Sequence, residues 1–130
     1  MALDTLLALQ AVVTKTATFN GTGITIPYGT PSNKPLFARV LYSAALAATG
    51  TSTFTFSIDN ATDGTNYVTL ASAQPILAST AASGEVYIPF VTPNAAHNSS
   101  TDAIRLTLTV AGGTTPSIVY LCDGIGNSMP

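Results

Sequence analysis

At 130 residues with a formal net charge of −2, the chain has room for one hydrophobic core. Its four cations, Lys15, Lys34, Arg39 and Arg105, are too few for an electrostatic nucleic-acid interface. The lone Cys122 excludes an intrachain disulfide or a cysteine metal cluster, no run is long and apolar enough for a membrane-spanning helix, and the start Met1-Ala-Leu-Asp4 lacks the basic region of a secretory signal, which predicts synthesis in a cytoplasm without export.

The first element in chain order is a predicted helix over Ala2–Val13, in which Leu3, Leu6, Leu7, Leu9 and Val13 fall near one face and Asp4 favours the first turn. Twelve residues are marginal for an isolated helix in water, so residues 1–14 are expected to form a helical arm that docks on something, with Leu3, Leu6, Leu7 and Leu9 as its partner-binding residues. From Phe19 onward the period changes to two. Ile24 and Ile26 alternate with threonines, Leu36–Ala45 is apolar on both faces like a central strand, and Phe54, Phe56 and Ile58 alternate with Thr53, Thr55 and Ser57. A turn at Asp63-Gly64 leads to a strand through Val68 and Leu70, and a short segment follows at Pro75-Ile-Leu77.

Glu85–Val91 puts Val86, Ile88 and Phe90 on one face, and Pro89 marks it as an edge or bulged strand. After the polar loop Thr92–Asp102, the alternation Ile104, Leu106, Leu108, Val110 is the strongest strand signal. Gly112-Gly113 makes a turn into a last strand over Ser117–Cys122, and Asp123–Pro130 is expected to be a non-strand tail. The predicted class is therefore all-β: an eight-stranded jelly-roll sandwich over residues 15–130 behind a short N-terminal helix.

No catalytic constellation stands out. His97, the single histidine, lies near Ser99, Ser100 and Asp102 in a polar loop, and a triad needs a rigid frame that this loop does not supply. Asp59-Asn-Ala-Thr-Asp63-Gly64 resembles the opening of a calcium loop, but Ala61 and Leu70 stand where further oxygen ligands belong, which favours a hairpin turn. Three Asn-x-Ser/Thr sequences, at Asn20, Asn60 and Asn98, read as loop residues. No enzyme activity, cofactor, metal, nucleic acid or membrane partner is expected, and Asp59→Ala is expected to cost no more than about 1–2 kcal/mol.

The charged fraction is 8%, against about 25% in ordinary soluble chains, and 21 threonines and 11 serines supply much of the polarity. Either hydroxyls alone keep the surface wet, or much of the surface is covered in an assembly. The second alternative is favoured, because −2 offers little colloidal protection.

Several segments together resemble the short jelly-roll cement (decoration) proteins of tailed bacteriophages. They are Leu3-Asp-Thr-Leu-Leu-Ala-Leu-Gln10, Phe37-Ala-Arg-Val-Leu-Tyr-Ser-Ala-Ala45, Gly50-Thr-Ser-Thr-Phe-Thr-Phe-Ser-Ile-Asp59, Gly84-Glu-Val-Tyr-Ile-Pro-Phe90, Ile104 to Thr114 and Asp123-Gly-Ile-Gly126. The resemblance implies a homotrimer on the virion exterior, bound to the outside of the major capsid protein shell. A carbohydrate- or receptor-binding β-domain of a phage tail or adhesin is the alternative; the absence of Trp counts against it.

Overall fold

Threonine-rich alternation leaves the backbone few alternatives to pairing in sheets, and β-branched side chains fit a pleated, half-buried surface. In the computed structural model, which describes residues 3–4, 8–25, 35–45, 52–61, 63–77, 83–91, 103–112 and 117–126, every regular element is a strand. They are β1 (Leu3–Asp4), β2 (Gln10–Lys15), β3 (Phe19–Asn20), β4 (Ile24–Thr25), β5 (Pro35–Ala45), β6 (Thr53–Ala61), β7 (Val68–Ser72), β8 (Ile76–Leu77), β9 (Ser83–Val91), β10 (Ala103–Ala111) and β11 (Ser117–Gly126).

All pairing is antiparallel, in two sheets. In the first, β11 lies between β5 and the successive strands β1 and β2, and β9 pairs with the far side of β5. In the second, β10 lies between β6 and the successive strands β3 and β4, while β7 and β8 pair with the far side of β6. As the sequence predicts, β5 is central and the Pro89 strand β9 has one partner among the described residues.

The sheets pack as a sandwich around one core. Val40, Ile88, Ile118, Tyr120 and Cys122 from the first sheet meet Phe54, Phe56, Ile58, Leu106 and Leu108 from the second. Phe56 and Tyr120 cross edge to face with ring centroids 5.0 Å apart, the geometry that the aromatic quadrupole favours. The alternating apolar sets read from the sequence face inward: Phe54, Phe56, Ile58, Ile88, Phe90, Ile104, Leu106 and Leu108 are buried, and Val86 and Val110 pack against them. Each such aliphatic or aromatic side chain contributes about 1.5–3 kcal/mol through burial. The Tyr120 hydroxyl is buried with no hydrogen-bond partner among the described residues, and desolvation pushes it up to about 12.

Two expectations need correction. The segment predicted as a helix over Ala2–Val13 supplies β1 and the start of β2, both paired with β11, and none of the described residues of the expected helical arm over 1–14 is helical. The run Val12-Val13-Thr14 favours a strand, β11 satisfies its backbone, and Leu9 enters the core at 3% exposure. The tail likewise is not wholly free. β11 continues through Gly126 past a bulge between Cys122 and Gly124, and Ile125 is buried in the core. Gly124 and Gly126 made this stretch read as a loop, since glycine weakens strand propensity.

Candidate functional site

Alternation fixes what each sheet shows to solvent. In the first sheet Ala38 and Val40 turn inward on β5, so Arg39 and Leu41 face out; on β11 Ile118 and Tyr120 turn inward, so Val119 and Leu121 face out. On β2 a register shift against Tyr120–Cys122 places Ala11 and Val12 together on the exposed side. Val12, Leu41, Ser43, Val119 and Leu121 consequently line a shallow apolar depression, where Val12 is 67% and Val119 37% exposed.

One step further along the same face, Arg39 forms an ion pair with Asp123. Arg39 Nε donates to Asp123 Oδ1 at 3.1 Å, and a second bond joins Nη2 to Oδ2. Arg39 stands opposite Gly124 in register, and Asp123 is the extra residue of the bulge, which aims its carboxylate at the guanidinium. Hydrogen bonding from Arg39 holds the Asp123 carboxyl below the ordinary aspartate range, and the same pair raises Arg39.

The outer face of the second sheet is built from hydroxyls around a carboxylate. Asp59 on β6 stands directly opposite Arg105 on β10. Its Oδ2 accepts from Thr107 Oγ1 at 2.7 Å and Arg105 Nε at 3.3 Å, and its Oδ1 from Thr69 Oγ1 at 3.1 Å and Ser57 Oγ at 3.5 Å. Arg105 carries the Tyr67 ring on its guanidinium, 3.8 Å from Cζ to the ring centre. With this stack and these donors around it Asp59 is 6% exposed, and its lone pairs are saturated by the protein itself. Such a group organises a fold and is closed to a substrate.

The other residues singled out from the sequence separate in space. Asp63 does not join Asp59: its carboxylate accepts from the amides of Thr65 and Asn66, both at 2.8 Å, and from Asn66 Nδ2 at 2.6 Å. The Asn66 and Thr65 amides and then the Asn66 side chain lower it to about 2. Gly64 follows with φ 74°, so the Asp-Gly pair is a turn, as expected. No group of three or more metal-ligating side chains occurs among the described residues.

Cys122 is buried, its thiol 3.8 Å from the Gly124 carbonyl oxygen, and desolvation pushes it up to about 11, so it stays protonated and inert. Of the Asn-x-Ser/Thr positions read as loop residues, Asn20 lies in β3 and is exposed, Asn60 lies in β6 and is buried with Nδ2 donating to Ala103 O at 3.0 Å, and Asn98 lies outside the described residues. Of the four expected partner-binding leucines, Leu9 is committed to the core and Leu3 lies in β1, while Leu6 and Leu7 lie outside the described residues, as do His97, Ser99, Ser100 and Asp102.

Both ion pairs escaped sequence reasoning. Asp59 and Arg105 become visible only when β6 and β10 are laid in register, and Asp123 only once its bulge is known. Compared with known proteins, the chain matches no family model and no curated protein.

Proposed function

We propose that this chain is a non-enzymatic structural protein of a phage virion, a cement protein that binds the outside of the major capsid protein shell and stabilises it. The observation that carries this proposal is the apolar outer face of the first sheet, where Val12, Leu41, Val119 and Leu121 lie outside the core in a chain whose charged fraction is 8%. The strand order supports a jelly roll. With β1–β2, β3–β4 and β7–β8 each counted as one interrupted strand, eight strands pair first with last, second with seventh, third with sixth and fourth with fifth, the order of a wrapped ribbon.

A subunit that binds the assembled shell better than its dissociated parts stabilises the shell by mass action, with no chemistry required. Many copies make weak single contacts sufficient. The test adds purified protein to shells stripped of decoration and measures occupancy and shell disruption by heat. Val12→Asp and Val119→Asp are expected to lower occupancy about tenfold or more with an unchanged melting temperature, because a charge enters the contact and no core group moves. Thr109→Asp, on the outer face of the second sheet, is the control and is expected to bind as the parent does. Equal binding by all three variants would reject the apolar face as the contact.

A further inference from the structure

Asn20-Gly21 is the single Asn-Gly step in the chain. At such a step a backbone amide can attack the preceding side-chain carboxamide, because glycine has no Cβ to hinder the approach. The fold needs glycine here for a different reason. A Cβ on Gly21 would lie 2.6 Å from the Leu106 carbonyl oxygen, to which the Gly21 amide donates at 2.8 Å. The residue that lets β3 dock on β10 is therefore also the one that makes its own peptide bond chemically vulnerable.

We propose that Asn20–Gly21 is a latent deamidation site that the fold holds closed and that converts when β3 leaves the second sheet. Two features hold it. The extended backbone of β3, paired at Asn20 with Thr107, fixes Asn20 in a strand conformation, and the bond to Leu106 O occupies the Gly21 amide that would be the nucleophile. The lock is small: β3 is Phe19–Asn20, and the chain before it is tethered by Thr18, whose Oγ1 accepts from Val110 N at 3.0 Å and donates to Val110 O at 3.4 Å. Short edge elements with few contacts open locally at low free energy.

On opening, the Gly21 nitrogen bonds to Asn20 Cγ and its proton passes to the side-chain nitrogen, which leaves as ammonia. Water then opens the cyclic imide at either carbonyl, giving aspartate or isoaspartate. The aspartate product sets a second carboxylate beside Thr107, whose one hydroxyl proton already goes to Asp59, with Asn20 Oδ1 now 3.5 Å from that hydroxyl. The isoaspartate product lengthens the backbone by a methylene and breaks the register of β3. Either product opposes return of the strand.

The test ages the intact protein in mildly alkaline buffer, folded and in urea, and follows Asn20 by peptide mass spectrometry. Conversion is expected to be about tenfold or more slower in the folded state, and to rise with sub-denaturing urea in step with hydrogen exchange of the Gly21 amide. Thr18→Val removes the tether without touching the core and is expected to speed conversion several-fold in the folded protein. Equal rates in folded and unfolded chains would overturn the proposal, as would conversion that ignores Gly21 exchange. Because the readout is made on the free protein, it succeeds or fails independently of shell binding.

Discussion

The two sheets each carry one arginine–aspartate pair on the outer face, and they are built on different principles. Arg105 and Asp59 stand directly opposite in register, with side chains 20% and 8% exposed, and three hydroxyls complete the carboxylate's shell. Arg39 and Asp123 meet across a bulge, both 30% exposed, beside an apolar depression. Removing one partner from a desolvated pair strands the other charge, whereas solvent can take over at an open pair. The comparison separates a face that holds the fold together from a face that is open to contact.

The sharpest way to break that contrast is to remove each carboxylate. Asp59→Ala leaves Arg105, Thr107 and Thr69 without their acceptor and is expected to cost about 3–5 kcal/mol, well above the expectation drawn from sequence, while Asp123→Ala is expected to cost a fraction of that. Chemical denaturation of both variants measures it, and equal losses would erase the difference between the faces.

Next in size, Leu9→Ala tests whether the edge of the first sheet is anchored in the core. Leu9 is buried, so truncation is expected to cost about 2–4 kcal/mol, seen as a lower denaturation midpoint. A neutral result would return the N-terminal segment to the role of a free arm.

The smallest effect is acidic. Asp123 and Asp63 both have folded carboxyls below the unfolded value of about 3.9, so their stabilisation is complete above that pH and is lost as pH falls through the folded values, which for Asp63 is about 2. Melting temperatures measured from neutral pH downward should hold to about pH 4 and then decline, and Asp63→Ala should flatten the lowest part of that decline.

The body of the sandwich was legible because its strands alternate cleanly. Phe54, Phe56 and Ile58 against Thr53, Thr55 and Ser57 fix one face, and Ile104 to Val110 fix the matching one. The ends were illegible for opposite reasons. The leucines of the first nine residues satisfy a helical period, and only the presence of β11 as a partner decides for strand at Leu3–Asp4 and Gln10–Lys15. At the other end, Gly124 and Gly126 concealed a strand. The bulge also shifted alternation by one residue, so no strict period of two could foresee that Asp123 would reach Arg39.

The position of β11 has a consequence for synthesis. A ribosome releases the strands in order, and by the time β10 has emerged every strand of the second sheet is available. The first sheet is still missing its middle, because β1, β2 and β5 all pair with β11. Until the ten residues of β11 arrive, the apolar side of the nascent second sheet lacks the cover of Ile118, Tyr120 and Cys122, and Phe56 lacks its edge-to-face partner. Closure of the sandwich thus waits for β11, and before β11 emerges the nascent chain leaves the apolar side of its second sheet incompletely covered.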